Sequence, residues 1–326
     1  MTIAPPIPQP TGRTIGDVNV SPIGLGAMEL SADGRPDRDR AFATIRAAVE
    51  AGITIIDVAD SYGIGAFEPN HNERLVADAL RACGHAGRQV LVATKGGQTR
   101  PGGDWEVDGR PEYLRKACDR SLEALGVEQI GLYQHHRPDA RVPYEDTIGA
   151  LKDLRDAGKI RLIGISNVGA AHIELAIGTL GRGDLASVQN EFSPRSQSGR
   201  AELDLCGDLG IAFLAYSPLG GIGRASTLGD NHVRFAEVAR TRGVSVQQVV
   251  LAWELSLGPH VIPIPGCSRP ATVRDCAAAM ALTLDEQERM AVIADRPQTD
   301  PINLTTVGAE APRRPATSEG ITGNEA

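Results

Sequence analysis

Short continuous apolar runs alternate along this chain with longer stretches whose apolar positions recur at helical spacing. Arg13–Ile15 and Val18–Val20 flank Gly16-Asp17 and predict a short hairpin with a tight turn. A glycine-rich strand follows at 23–26. Pro36-Asp37 then opens a helix in which Phe42, Ile45 and Val49 repeat at i, i+3 and i+7, stopping at Gly52. Next come a strand over 53–56 leading to Asp57, a helix around 73–82, and a strand over 90–94 closed by Lys95. Pro111 starts a helix that runs to Leu125 and ends at Gly126; a strand leads to His135, and a helix runs from Pro143 to near Gly158. The second half repeats the pattern, with strands at 162–165, 186–189, 211–216 and 261–264. Helices fall around 171–179, 201–209, 233–242, 246–257, 271–279 and 285–294.

Eight strand–helix units with short, unbroken apolar strands predict a parallel sheet buried on both faces. Eight such units close into a (β/α)8 barrel, with active-site loops at the strand C-termini. An open doubly wound sheet is the competing fold. Against it, no GxGxxG follows the first strand, and polar residues end many strands rather than one crevice. The expected organisation is a flexible stretch at 1–12, one barrel domain at 13–296, and a mobile Pro- and Gly-rich tail at 297–326.

The bulk composition narrows the partners. A net charge of −8, with Lys and Arg scattered, argues against nucleic acid or an anionic membrane surface. No apolar stretch approaches the roughly 20 residues of a membrane helix. Cys83, Cys118, Cys206, Cys267 and Cys276 show no CxxC or zinc-ligand spacing, so no metal is expected; reduced thiols and a cytoplasmic location are. The pattern leaves open whether the chain is a monomer or a homo-oligomer.

Candidate chemistry sits where strands end. Asp57, Tyr62, Lys95 and His136 follow three consecutive strands and converge at one mouth if those strands are barrel neighbours. Adding hydride to a carbonyl puts negative charge on oxygen, so a proton donor must wait there. A tyrosine is a weak acid, with a reference pKa of about 10. A neighbouring ammonium lowers that value, and a carboxylate keeps the ammonium charged and oriented. The histidine orients the carbonyl oxygen or relays the proton. Strand alternation sends one of His135 and His136 inward and the other outward.

The segments Gly52-Ile53-Thr54-Ile55-Ile56-Asp57-Val58-Ala59-Asp60-Ser61-Tyr62-Gly63 and Ala93-Thr94-Lys95-Gly96 resemble those of the aldo-keto reductases. So do Gln134-His135-His136-Arg137-Pro138, Gly164-Ile165-Ser166-Asn167, Gln189-Asn190-Glu191-Phe192-Ser193, Ala215-Tyr216-Ser217-Pro218-Leu219 and Ile264-Pro265-Gly266-Cys267-Ser268. The wider pattern is most similar to bacterial members related to potassium-channel beta subunits. The resemblance implies a (β/α)8 barrel that binds NADPH, with NADH as an alternative, and acts on a small-molecule carbonyl substrate. It assigns Tyr62 as general acid, Lys95 and Asp57 as its tuners, and, from the His-x-Pro spacing, His136 as the catalytic histidine. It places Ser166, Asn167 and Gln189 on the nicotinamide carboxamide, with Tyr216 stacked on the ring.

For the rest of the cofactor it implies Ser217, Leu219 and Gly221 near the pyrophosphate, with Arg224 replacing a basic residue usual in that loop. Gly266, Ser268, Arg269 and Thr272 would lie around the adenosine 2′-phosphate. Asp275-Cys276 stands where relatives commonly carry Glu-Asn against the adenine, a departure that touches cofactor preference. Met28, Phe67, Trp105, His135 and Phe192 are candidate walls of an apolar substrate pocket. A cofactor-sensing regulatory subunit and a Schiff-base lyase using Lys95 are the alternative functions.

Overall fold

The computed structural model describes residues 12–65 and 68–294. The stretch 1–11, Phe67 and the tail at 297–326 lie outside the described residues, so the expectations for them are not addressed. The chain opens with the hairpin of β1 (Arg13–Ile15) and β2 (Val18–Val20). β3 (Leu25–Gly26), β4 (Ile55–Asp57) and β5 (Leu91–Gly96) follow. A second antiparallel hairpin, β6 (Gln98–Thr99) and β7 (Glu106–Val107), interrupts the alternation. Then come β8 (Ile130–His135), β9 (Ile160–Ser166), β10 (Leu185–Glu191), β11 (Ala212–Tyr216) and β12 (Val261–Pro263).

The intervening helices are α1 (Arg38–Glu50), α2 (His71–Ala82), α3 (Gly84–Arg88), α4 (Pro111–Leu125), α5 (Tyr144–Asp156) and α6 (Ala170–Leu180). After them lie α7 (Arg200–Leu209), α8 (Leu228–Asn231), α9 (Val233–Arg242), α10 (Val246–Ser256), α11 (Pro270–Ala278) and α12 (Glu286–Ile293). Start and stop signals set several ends. Asp37 accepts from the Arg40 N–H to cap α1, Pro111 occupies the first turn of α4, and Gly126 ends it in the left-handed region at φ 66°.

Eight parallel strands form one sheet in the order β12-β11-β10-β9-β8-β5-β4-β3. The ends meet: Gly24 N donates to Pro263 O at 2.9 Å and Gly26 N to Pro265 O at 3.0 Å, with a parallel bridge between Gly26 and Gly266. This is the (β/α)8 barrel expected from the pattern. Closure depends on glycine, because a Cβ on Gly26 would stand 2.8 Å from Ile264 O. Inside the barrel, Ile55, Ala93, Leu132, Ala186, Leu214 and Ile262 pack into one cluster with Ile15 and Val20 of the β1–β2 hairpin. The hairpin therefore plugs the N-terminal end of the barrel. Arg13 fastens it to the end of α10 by donating to Gly258 O at 2.7 Å and Leu255 O at 2.9 Å. With that end filled by apolar side chains, polar groups are left to the opposite mouth.

No helix of the structure is long and apolar enough to cross a membrane, and no three metal-ligating side chains cluster among the described residues. All five cysteines are free.

An acid without a hydrogen-bond partner interrupts the apolar layer between helices and barrel. Glu254 on α10 is fully buried, and neither carboxyl oxygen has a hydrogen-bond partner. Burial pushes its carboxyl well above the ordinary 4.5. The folded protein keeps a proton that the unfolded chain releases near that value, so stability falls as pH rises above it toward the folded value. Glu254→Gln is expected to flatten the loss of stability as the pH rises from that ordinary value through neutrality, by up to about 1.4 kcal/mol per pH unit. Urea denaturation across that range measures it; a slope equal to wild type would assign the loss to another group.

Candidate active site

Backbone pairing carries the functional side chains to the C-terminal mouth. β4 pairs β5 with Asp57 opposite Ala93, and β5 pairs β8 with Lys95 opposite Gln134. Side chains alternate along β5: Lys95 points inward, whereas the Thr94 hydroxyl donates to Glu73 of α2 at 2.5 Å. The loop bearing Tyr62 is anchored at both ends. Val58 N donates to Ala93 O at 2.8 Å, and Asn70, at φ 59°, donates its N–H to Asp60 O at 2.7 Å. His136 N donates to Gly96 O at 2.9 Å, which sets the histidine just past β8.

Four groups predicted from three strand ends meet here. The buried Lys95 Nζ lies 2.5 Å from Asp57 Oδ2 and 3.3 Å from the Tyr62 hydroxyl, and also donates to Val58 O at 3.0 Å. The Tyr62 and His136 rings meet edge to face with centroids 5.7 Å apart. Asp57 has further donors: Gln189 Nε2 at 2.7 Å and Gln134 Nε2 at 3.3 Å, both on its other oxygen. Gln189 was expected on the cofactor; in this structure its amide N–H holds the carboxylate.

The electrostatics revise one expectation. Burial pushes the Tyr62 phenol above its ordinary 10.0; Lys95 pulls it back and Asp57 adds to the rise, so the net direction is upward where the sequence predicted downward. Desolvation of a buried hydroxyl outweighs the ammonium. Burial alone draws Lys95 down, but the charges of Asp57 and Tyr62 outweigh it and leave the ammonium above 10.5. His136 is held well below 6.5 by burial first, then by Lys95, Arg137 and His135, so its imidazole is neutral at pH 7. The resting site thus contains a protonated phenol, a charged lysine and a neutral imidazole.

The residues expected around the nicotinamide form a connected shell. Asn167, at φ 59°, accepts from Tyr216 Oη at 2.8 Å and Arg137 Nη2 at 3.1 Å on the same oxygen. Its amide nitrogen donates to His136 O at 2.9 Å and Ser166 Oγ at 3.0 Å. Ser166 in turn donates to Gln189 O at 2.7 Å. Burial pushes the Tyr216 phenol up to about 12.

Beyond β11 the backbone turns repeatedly through positive φ, with Ser217 at 53°, Gly220 at 87°, Gly221 at 99° and Gly223 at 75°. Successive turns of that kind direct N–H groups toward an anion. Leu219 beneath them is buried, and Arg224 is exposed. Arg269 is the exposed N-cap of α11, flanked by the half-buried Ser268 and Thr272. This donor set, with left-handed backbone and two exposed guanidiniums, fits a phosphate-bearing nicotinamide dinucleotide. At the adenine end, Asp275 is not free as expected, and Cys276 departs from the relatives as the sequence indicated. Asp275 spends both oxygens on α10, accepting from Ser245 Oγ and Gln248 Nε2 at 2.7 Å each. Cys276 faces inward, buried, with its sulfur 3.9 Å from that of Cys267.

The candidate substrate walls divide. Met28 is half-buried just past β3. Trp105 is 45% exposed in the β6–β7 hairpin, with the Arg100 guanidinium 4.2 Å over its ring. Arg100 also donates to Gly63 O at 3.3 Å, tying that hairpin to the residue after Tyr62. His135 and Phe192 are corrections. His135 is the outward member of its pair, fully buried with its ring 5.7 Å from Tyr144 of α5, because Gln134 and His136 take the inward positions. Phe192 is fully buried in the helix layer, stacked on Trp253 at 5.8 Å and edge-on to Phe213 at 6.2 Å. Its apolar ring had more surface to cover between β11 and α10 than at the mouth. Sequence reasoning missed Gln134, inward by alternation from Leu132, and Arg137, which directly follows the inward histidine.

Comparison with known proteins agrees with the barrel fold and shows the family. The model of the Aldo/keto reductase family matches residues 22–294. An uncharacterized oxidoreductase of Schizosaccharomyces pombe is 32% identical, covering 84% of this chain and 86% of the relative. The solved glycerol dehydrogenase from Gluconobacter oxydans is 27% identical with a TM-score of 0.75, over 88% of this chain and 95% of that one. An aldo/keto reductase from Klebsiella pneumoniae, solved in complex with NADP and acetate, is 26% identical with a TM-score of 0.72, over 87% and 94% of the two chains.

Proposed function

Because this chain belongs to the aldo/keto reductase family, we propose that it interconverts the carbonyl of an aldehyde or ketone and the corresponding alcohol, using NADPH in preference to NADH. The observation that carries this reading is the placement of Lys95 Nζ at 2.5 Å from Asp57 and 3.3 Å from the Tyr62 hydroxyl, beside His136.

A nicotinamide cofactor, when bound, would supply hydride for the carbonyl carbon. Tyr62 donates its proton to the carbonyl oxygen. Its raised pKa keeps that proton in place until the oxygen turns negative, when the ammonium of Lys95 stabilises the phenolate left behind. Asp57 keeps Lys95 charged and aimed, and the amides of Gln189 and Gln134 hold Asp57. His136, being neutral, has one N–H with which to orient the carbonyl oxygen. Asn167 and Ser166 would hold the carboxamide, with Tyr216 beneath the ring. The turns at 217–223 would hold the pyrophosphate. Arg269 and Ser268 would hold the 2′-phosphate, and this supports NADPH. Met28 and Trp105 would contact substrate. The free cysteines support a reducing, cytoplasmic setting.

Oxidation of NADPH and NADH against a broad panel of carbonyls tests the reading. Turnover with NADPH exceeding that with NADH is expected. Tight cofactor binding without turnover of any carbonyl would instead favour a cofactor-sensing regulatory subunit.

A further inference from the structure

Arg137 is a charged group at the mouth that the proposed chemistry does not use. It directly follows His136 and is half-buried. Its guanidinium reaches Asn167 Oδ1 at 3.1 Å and bears on the Tyr216 hydroxyl, two residues of the shell expected around the nicotinamide. Neither partner is charged. No carboxylate lies within ion-pair distance of it among the described residues, whereas its neighbours in sequence, Arg141 and Arg155, each pair with an aspartate. The charges of Lys95 and Asp57 cancel as a contact pair. Glu191, at the end of β10, also acts on Tyr216, but it forms no ion pair with Arg137.

A half-buried guanidinium has given up part of its hydration, and neutral acceptors return only part of that energy. Its planar fork presents paired N–H donors that match a carboxylate. We propose that Arg137 is a specificity-determining residue which makes this mouth a receptor for carbonyl substrates bearing a carboxylate, such as aldehyde acids and oxo acids. The proposal rests on the reductase reading above and names its substrate class.

The test compares each acid with its neutral ester: succinic semialdehyde and para-carboxybenzaldehyde, each against its methyl ester. Wild type is expected to favour the acids in kcat/KM. Arg137→Met should lower the acid-to-ester ratio by about tenfold or more, through KM of the acid rather than kcat, and Arg137→Lys should restore part of it. Taking the ratio within each variant cancels any general damage to the site. A wild type that prefers the esters, or a ratio unmoved in Arg137→Met, would overturn the assignment.

A second readout needs no turnover. Benzoate should bind the NADP-loaded enzyme more tightly than benzamide, and that difference should vanish in Arg137→Met; equal binding of the two ligands to wild type would again overturn it. Failure of every aldehyde to react bears on the reductase reading instead, and the benzoate titration then decides the Arg137 assignment by itself.

Discussion

Replacing Tyr62 by Phe is expected to remove most carbonyl reduction, roughly 100- to 10,000-fold in kcat, the range a positioned general acid contributes. Cofactor affinity should change little, because the atom removed is a hydroxyl whose hydrogen-bond partner in the structure is Lys95. Steady-state kinetics together with a fluorescence titration of NADPH separate the two effects. The pH profile adds a distinct signature. Burial holds the Tyr62 phenol above 10.0, so the donor stays protonated across the neutral and mildly alkaline range. Reductive turnover of wild type should therefore stay level until the pH passes that ordinary value, and then fall as the donor loses its proton. Residual activity in Tyr62→Phe should lack this alkaline limb. Wild-type rates in Tyr62→Phe would leave the phenol without a catalytic role.

Asp57→Ala is expected to damage the fold as well as the chemistry. The carboxylate is the acceptor for three buried donors: Lys95 at 2.5 Å, Gln189 at 2.7 Å and Gln134 at 3.3 Å. Removing it strands a fully buried ammonium with no counter-charge, and breaking such a pair typically costs about 3–5 kcal/mol. Denaturant unfolding should show that loss. The double variant Asp57→Ala with Lys95→Met should recover part of it, since no uncompensated charge is left to bury. Activity should be absent from both. If Asp57→Ala loses less than about 1 kcal/mol, the ammonium has found another partner or shed its proton, and the carboxylate is not what keeps Lys95 charged.

Much of this organisation was legible along the chain because it rests on local rules. Unbroken apolar runs mark strands that are buried on both faces, and the helix ends carry their signals in Asp37, Pro111 and Gly126. What escaped were elements without periodicity of their own. The two-residue strands β6 and β7 exist because Gln98–Thr99 finds Glu106–Val107 across a turn, and nothing in either dipeptide announces the pairing. Alternation predicted that His135 and His136 would face opposite ways, and resemblance chose between them. Only packing against Tyr144 shows where the outward ring goes. Phe192 shows the limit of reading aromatics near strand ends as pocket walls, because a ring buries itself wherever the largest apolar surface is on offer.

By itself, then, the sequence determined the alternation of strand and helix, hence the closed barrel, and put an aspartate, a tyrosine, a lysine and a histidine just past its strands. These follow from side-chain period and turn chemistry, which act over a few residues. Tertiary structure alone decided the separations at the mouth, the reversal in the direction of the Tyr62 shift, the inward burial of Cys276, and the position of Arg137 without a carboxylate. Each of those depends on desolvation and on charges brought together from distant parts of the chain, and no local pattern records them.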